Sequence, residues 1–233
     1  MLIAAFPSKS LGSEGIFPDL SESEPIVRIM PLGDSITQAD GEHGSYRRPL
    51  WNLLRQAGYE VEFVGSTQNH FGGPPPFTDF DPDHEGHWGW RTDEILVHIN
   101  NWVSSARPNI VLIHLGTNDV RAGQSLESTM DELWELIQAL RLNNPFVKVL
   151  LAQVIPTVEN EAQVAQLNQR IALIAEYMSM ETSPVLLVDQ FSGFNPAVGQ
   201  DTYDGVHPNE LGERKLAEQW FNALQQILAP PQE

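Results

Sequence analysis

The sequence contains no cysteine, which excludes a disulfide framework, a thiolate nucleophile and a metal site built on thiolates. Basic residues are also scarce: 13 Lys and Arg stand against 31 Asp and Glu, and the formal net charge is -18. Nucleic-acid binding needs clustered positive charge, so we expect no nucleic-acid partner, and docking on an anionic membrane is disfavoured for the same reason. The simplest interpretation of the negative charge is solubility.

Long hydrophobic runs are missing as well. No run approaches the roughly 18 apolar residues that a membrane-spanning helix needs, so we expect no membrane span. Residues 1–6 are mildly apolar but lack the basic segment that begins a secretory signal peptide, so we expect no clear signal peptide. Both a cytoplasmic and a secreted location stay open, and no pattern in the sequence indicates the oligomeric state.

From residue 25 onward, short apolar runs alternate with amphipathic stretches, whereas residues 1–24 carry Ser, Gly, Pro and Glu without periodicity. We interpret 1–24 as an N-terminal tail or arm and 25–233 as a single domain. The apolar runs predict five strands, at 26–32, 61–64, 109–115, 147–154 and 184–188. The amphipathic stretches predict five helices, at 46–58, 92–106, 126–143, 159–180 and 208–227. This alternation predicts an α/β fold with a parallel sheet that is covered on both faces.

Residues suited to catalysis lie just beyond the carboxyl ends of the predicted strands, which is where sites of parallel α/β sheets occur. Gly-Asp-Ser at 33–35 follows the first strand, Gly-Thr-Asn-Asp at 116–119 follows the third, and Asp-Gly-Val-His at 204–207 follows the fifth. Residues 66–88 form a long loop rich in Gly, Pro, Asp and His, and loops of that length are usually functional or disordered. We therefore expect a serine, an asparagine and an Asp-x-x-His pair at one edge of the sheet.

A serine hydroxyl is a poor nucleophile until a neighbouring imidazole takes its proton, and the imidazole needs a partner that fixes its tautomer. Ser35 and His207 are the candidates for the first two roles, and the three-residue spacing lets one turn present Asp204 beside His207. Acyl transfer also needs preorganised donors for its anionic intermediate. The backbone N–H groups of Ser35 and of a glycine, together with the Asn118 amide, are candidates for this oxyanion hole.

These segments resemble, in the same order, the signature blocks of the GDSL/SGNH hydrolases. Residues 33–37 (Gly-Asp-Ser-Ile-Thr) are similar to the first block, Gly89 to the glycine block, 116–119 to the asparagine block and 204–208 (Asp-Gly-Val-His-Pro) to the last. The one departure is Ile36, where the family name has Leu. The resemblance implies a three-layer α/β/α, flavodoxin-like sandwich with a five-stranded parallel sheet, the SGNH hydrolase fold.

The same resemblance implies a serine esterase with a catalytic triad. It implies that Ser35 attacks the ester carbonyl to form an acyl-enzyme, that His207 is the general base and that Asp204 orients His207. It also implies an oxyanion hole made by the backbone amides of Ser35 and Gly89 and the side chain of Asn118. Neither a cofactor nor a metal belongs to this implied mechanism.

A narrower resemblance concerns residues 84–92, His-Glu-Gly-His-Trp-Gly-Trp-Arg-Thr, which are similar to the glycine block of carbohydrate esterases that deacetylate xylan. It implies a small ester or an acetylated saccharide as the substrate. Trp88 and Trp90 are then candidates for stacking on a sugar ring. Arg91 is a candidate for contact with the substrate or with acetate, and Asp34 completes the predicted substrate-binding set.

Alternative interpretations stay open on the sequence alone. A lipase or thioesterase of the same family is one, although the absence of a long apolar lid favours short acyl chains. A non-catalytic binding module on this fold is another, but it does not need Ser35, Asn118 and His207 together. A flavin- or nucleotide-binding protein is disfavoured because no phosphate-cradling glycine loop follows the first strand. Locally, Arg91 also fits a plain surface charge, and the two tryptophans also fit loop packing.

Overall fold

The computed structural model describes residues 26–231, so the predicted tail over residues 1–24 lies outside the described residues. The strands are β1 (Val27–Gly33), β2 (Val61–Phe63), β3 (Glu85–Gly86), β4 (Ile110–His114), β5 (Lys148–Ala152) and β6 (Val185–Val188). The helices are α1 (Ser35–Gln38), α2 (Arg47–Gln56), α3 (Thr92–Ala106), α4 (Thr117–Arg121), α5 (Leu126–Asn143), α6 (Glu161–Met178) and α7 (Glu210–Leu224).

The strands of the sheet are parallel and have the order β2-β1-β4-β5-β6. The two-residue β3 pairs with Leu32 and Gly33 at the end of β1, beyond the residues that β2 pairs with. Counted without β3, the five longer strands follow the flavodoxin-like order 2-1-3-4-5. The predicted parallel α/β/α sandwich is therefore confirmed, and β3 is an additional short strand beside β1.

Alternate residues of the strands pack into two separate cores, one on each face of the sheet. Met30 and Leu32 of β1 belong to the core that α3, α5 and α6 cover. Ile29 of β1 belongs to the other core, which α2 and α7 cover and in which Trp220 is fully buried. Burying one such side chain contributes about 1.5–3 kcal/mol relative to exposure, so apolar burial is the main force that holds both helical layers on the sheet.

All five predicted helices occur, and two further short helices accompany them. Helix α7 begins at Glu210, later than predicted, because the Asn209 side chain accepts hydrogen bonds from the backbone N–H groups of Leu211 and Gly212. The sequence does not predict α1 and α4, because helices of four and five residues are too short to show an amphipathic period. Between residues 26 and 231, no helix is long and apolar enough to cross a membrane.

Candidate active site

Ser35 lies where β1 passes directly into α1, at the carboxyl edge of the sheet. Gly33 allows this close connection, since a Cβ at that position would lie 2.2 Å from Oγ1 of Thr37. Oδ1 of Asp34 accepts a hydrogen bond of 2.9 Å from the backbone N–H of Ile36 and so caps α1. The backbone around Ser35 is therefore fixed by a strand on one side and a capped helix on the other.

Ser35, His207 and Asp204 form a continuous hydrogen-bonded chain. Oγ of Ser35 lies 2.9 Å from Nε2 of His207, although the two residues are 172 positions apart in the sequence. Nδ1 of His207 lies 2.7 Å from Oδ2 of Asp204. The structure thus brings together the hydroxyl, the imidazole and the carboxylate that the sequence predicts to meet at one edge of the sheet.

Asp204 is held in its charged form by the turn in which it lies. Its Oδ1 accepts hydrogen bonds from the backbone N–H groups of Val206, at 2.9 Å, and His207, at 2.7 Å. Partial burial acts to raise the pKa of Asp204, but these hydrogen bonds and the His207 side chain outweigh it and lower the pKa below its usual value. Since a carboxylate only accepts hydrogen bonds, Nδ1 of His207 carries a proton, which leaves Nε2 of the neutral form of the ring to accept from Ser35.

Gly89 and Asn118 line an open cleft of about 430 Å³ together with Ser35 and His207. Gly89 has a φ of 79°, a left-handed backbone conformation that favours glycine. Nδ2 of Asn118 donates a hydrogen bond of 2.9 Å to the backbone oxygen of Trp90, which orients the amide with one N–H still available. The predicted oxyanion donors and the predicted nucleophile therefore border the same cleft.

Asp34 does not border this cleft, in contrast to the predicted substrate contact. Its side chain is fully buried beneath the site, and its role is the α1 cap described above. Burial raises the pKa of Asp34 to about 7. A substrate in the cleft cannot reach a fully buried carboxyl group, so the interpretation of Asp34 as a substrate-binding residue is corrected to a structural one.

Trp88 stacks on the imidazole of His207. Its ring centroid lies 4.6 Å from that of His207 with an interplanar angle of 18°, and Phe71 stacks on Trp88 at 4.7 Å and 24°. Phe71 and His207 therefore both pack on the ring of Trp88, which also borders the cleft, and these contacts support the alternative interpretation of Trp88 as a packing residue. The sequence did identify Trp88 as a residue of the site, but the structure places it against His207.

Trp90 is also packed within the protein. Its ring stacks on His87 at 4.5 Å, and His87 in turn stacks on Trp102 at 4.5 Å. Nε2 of His87 is hydrogen-bonded to Oε1 of the fully buried Glu85 at 2.7 Å. These contacts support the alternative interpretation of Trp90 as a packing residue of the loop that precedes α3.

Tyr203 and His43 also border the site, although neither is among the residues that the sequence predicts there. Tyr203 stacks on His207 with a centroid distance of 5.7 Å, and His43 stacks on Tyr203 at 4.1 Å. The rings of Phe71, Trp88, His207, Tyr203 and His43 thus form one stack, which we call the aromatic column. Tyr203 lies directly before the last signature block, which begins at Asp204, and this position is a usable signal. No sequence pattern marks His43 or Phe71.

Two arginines border the cleft, Arg91 and Arg121. The guanidinium of Arg91 forms an ion pair of 2.9 Å with Asp93, and its backbone N–H donates to the carboxylate of Glu94. Arg91 thus remains a candidate for substrate contact while also stabilising the start of α3. Arg121, at the end of α4, was not identified from the sequence, although it follows the asparagine block within three residues.

Arg47 anchors the long loop at 66–88 beneath the site. Its guanidinium is fully buried and donates hydrogen bonds to the backbone oxygens of Thr37 and Pro82, at 2.9 and 2.7 Å. It also lies 2.8 Å from Nε2 of His70 within the same loop. In residues 26–231, no group of three or more His, Asp or Glu side chains is arranged to hold a metal ion.

The fold with this order of strands is that of the SGNH hydrolases. A match to the GDSL-like Lipase/Acylhydrolase family spans residues 32–215. The chain therefore belongs to this family of lipases and acylhydrolases.

Individual relatives give more detail. The chain is 28% identical over 237 residues to the Multidomain esterase of Ruminococcus flavefaciens, an alignment that covers 91% of this chain and 30% of that protein. It spans between 30% and 62% of the length of the curated relatives that it matches. A carbohydrate esterase family 3 structure from Talaromyces cellulolyticus is 35% identical with a TM-score of 0.77, covering 87% of this chain and 98% of that chain. A mutant acetyl esterase with an acetate ion is 34% identical, with the same TM-score of 0.77 and the same coverage of 87% and 98%.

Proposed function

We propose that this chain hydrolyses short-chain esters, chiefly acetyl esters of carbohydrates, through Ser35, His207 and Asp204 and an acyl-enzyme intermediate. The observation that carries the proposal is the hydrogen-bonded chain from Oγ of Ser35 to Nε2 of His207, at 2.9 Å, and onward from Nδ1 to Asp204, at 2.7 Å. Ester hydrolysis by a serine needs a nucleophile that contacts a base, and a carboxylate that orients the base.

The proposed reaction has two stages. As Oγ of Ser35 attacks the ester carbonyl, its proton passes to Nε2 of His207, and Asp204 stabilises the positive ring. The C–O bond to the alcohol then breaks, and Nε2 returns the proton to the leaving alkoxide, which leaves Ser35 acylated. In the second stage a water molecule gives a proton to Nε2 and attacks the acyl carbon. The bond from this carbon to Oγ of Ser35 then breaks, Nε2 returns the proton to Oγ, and the acid is released.

The negative charge that develops on the carbonyl oxygen needs hydrogen-bond donors, and three candidates border the cleft. These are the backbone N–H of Ser35, which is the first residue of α1, the backbone N–H of Gly89, which has a left-handed conformation, and the side-chain amide of Asn118. Removing one donor of this kind typically lowers kcat about 100- to 1,000-fold.

The preference for acetyl esters on sugars is supported by the solved relatives, two of which are named as a carbohydrate esterase and an acetyl esterase. The cleft is open and bordered by polar side chains, which suits a hydrated sugar better than a long acyl chain. A lipase or thioesterase of the same family remains the alternative outcome of the test. A non-catalytic module has no use for the Ser35–His207–Asp204 chain.

The test compares the wild type with Ser35→Ala in the hydrolysis of p-nitrophenyl acetate. We expect kcat to fall about a thousandfold or more, because the nucleophile is removed while the fold is kept. Ser104→Ala, which changes an exposed serine of α3, is the matched control and is expected to retain the wild-type rate. Equal rates for Ser35→Ala and the wild type would remove Ser35 from the mechanism.

The substrate class is tested in parallel by acetate release. The wild type is incubated with acetylated xylan, with other acetylated polysaccharides and with simple lipid esters, and p-nitrophenyl acetate is compared with the octanoate. We expect acetylated polysaccharides and the acetate ester to be preferred. Faster cleavage of the octanoate and of lipid esters would replace this proposal by the lipase alternative.

A further inference from the structure

The two hydrogen bonds of the His207 imidazole do not fix its orientation completely. Both bonds, to Ser35 and to Asp204, lie near the ring plane, so a tilt of the ring about the line through Nδ1 and Nε2 leaves both nearly unchanged. The Asp204 side chain is also 41% exposed, and water screens its electrostatic interaction with His207. Contacts on the faces of the ring are the ones that restrict this tilt.

Two aromatic rings supply such contacts. Trp88 stacks on His207 at 4.6 Å and 18°, and Tyr203 stacks on it at 5.7 Å and 14°. In the part of the chain that the structure describes, Trp88 and Tyr203 each stack on His207 and do not stack on each other. His207 is therefore flanked by rings that run nearly parallel to its own plane.

Both flanking rings are themselves anchored. The hydroxyl of Tyr203 donates a hydrogen bond of 3.0 Å to Oδ2 of Asp40, and burial together with this bond raises the pKa of Tyr203, so the hydroxyl stays a donor. Partial burial acts to raise the pKa of Asp40, but hydrogen bonds from Glu42 and His43 lower it overall and keep the acceptor charged. The backbone N–H of Trp88 donates to Oε1 of Gln38 at 2.7 Å.

We propose that Trp88 and Tyr203 are positioning residues that clamp the general base between two aromatic rings, so that Nε2 of His207 stays directed at Oγ of Ser35. This inference rests on the proposed esterase function. The clamp also favours the transition state, because the faces of Trp and Tyr rings attract the positive imidazolium that forms when Ser35 loses its proton. The orientation of His207 therefore depends on two sets of contacts, the clamp and the hydrogen bond to the partly exposed Asp204.

The test pairs each ring with an aliphatic and an aromatic replacement. Trp88→Leu and Tyr203→Leu are expected to lower kcat for p-nitrophenyl acetate about 10- to 100-fold, because a small misplacement of the base is enough for such a loss, with KM changed less than about threefold. Trp88→Phe and Tyr203→Phe, which keep a ring, are expected to restore most of the rate. Tyr177→Leu, at a tyrosine of α6 that is 73% exposed, is the matched control and is expected to behave as the wild type.

Tyr203→Phe removes the hydroxyl bond to Asp40 but keeps the ring, so it separates the two contributions of Tyr203. If the Phe variants are as slow as the Leu variants, or if folded Leu variants keep the wild-type kcat, the clamp is overturned. Thermal unfolding checks that each variant is folded. Should a Leu variant fail to fold, methionine replaces it, since Met fills a similar volume without an aromatic face.

A spectroscopic measurement separates failure of the clamp from failure of the proposed function. Proton NMR of the His207 ring is expected to show upfield ring-current shifts in the wild type that are lost in Trp88→Leu and Tyr203→Leu. If the wild type shows no Ser35-dependent turnover, the proposed function has failed, and these shifts alone decide whether the clamp exists. Unshifted His207 ring protons in the wild type would overturn the clamp even if the esterase is active.

Discussion

Neighbouring residues of the candidate site have very different environments. Ser35 contacts His207, whereas Asp34, one position earlier, is fully buried and caps α1. Among the carboxyl groups, Asp204 is partly exposed with a lowered pKa, while burial raises the pKa of both Asp34 and Glu213 to about 7. Of these three groups, Asp204 alone combines a stable negative charge with contact to the imidazole, and it is therefore the carboxylate suited to support His207.

Replacement of Asp204 by Asn tests this assignment. An Asn side chain presents an N–H donor that competes with Nδ1–H of His207, which favours the wrong tautomer of the ring, so we expect kcat at pH 8 to fall about 100- to 10,000-fold. Hydrolysis of p-nitrophenyl acetate measures the effect. Asp131→Asn, at an exposed position of α5, is the control and is expected to retain the wild-type rate. An active Asp204→Asn variant would show that a Ser35–His207 pair suffices.

Glu213 gives a prediction for stability against pH. Its carboxyl accepts a hydrogen bond of 2.9 Å from the backbone N–H of Ser45, and burial raises its pKa from 4.5 to about 7. Between these two pH values the folded state binds more protons than the unfolded state, so the contribution of Glu213 to stability falls as the pH rises through this window. Glutamine can still accept the bond from Ser45 without carrying a charge.

We therefore expect Glu213→Gln to raise the free energy of unfolding by about 1–3 kcal/mol at pH 8 and to change it little at pH 4. Chemical denaturation at the two pH values measures the difference. The exposed Glu218 lies on the same helix, and Glu218→Gln is expected to have little effect at either pH. An equal gain at pH 4 and pH 8 would contradict the assignment of the effect to the buried charge.

Among the structural elements, the loop at 66–88 is the one whose structure is predicted least well from the sequence. Its length indicates a functional or disordered segment, but its periodicity is too weak to predict β3 or the anchors of the loop. In the structure, β3 pairs with the end of β1, and the Arg47 guanidinium reaches the backbone of the loop at Pro82. These contacts are long-range and depend on buried polar groups, which local sequence patterns do not reveal. They place Trp88 and Gly89 beside Ser35.

Replacement of Arg47 tests whether this residue anchors the loop at 66–88. A lysine at this position keeps the charge but cannot replace a planar guanidinium that contacts Thr37, Pro82 and His70 at once. Arg47→Lys is expected to lower the free energy of unfolding by about 2–4 kcal/mol, because buried acceptors lose their donors. Urea denaturation measures the loss, and Arg55→Lys, at the partly exposed Arg55 of the same helix, is expected to be nearly neutral. A neutral Arg47→Lys would mean that the loop does not depend on this anchor.

Across the whole molecule, the strands and the long helices were predictable from the sequence. Their apolar runs and amphipathic periods match the faces that they bury in the folded protein. The position of Ser35, Asn118 and His207 at one edge of the sheet was predictable as well, because the loops that follow parallel strands all lie at the same edge. The aromatic column was not, since its five rings come from three loop segments that are far apart in the sequence and share no period. Sequence patterns thus locate the candidate reacting groups, while the rings that pack around them are set by long-range loop packing.

The net charge of -18 is also a property of the whole molecule, and it predicts how stability responds to salt. Like charges repel more strongly in the compact state than in the unfolded chain, and salt screens this repulsion. At pH 8, an increase in NaCl from about 0.01 to 0.3 M is expected to raise the free energy of unfolding by about 1 kcal/mol, or Tm by about 2–4 °C for a chain of this size. At pH 5, where carboxylates begin to be protonated and histidines gain charge, the same salt step is expected to have a smaller effect. A fall in Tm with salt at pH 8 would show that the ion pairs of the surface contribute more to stability than the repulsion costs.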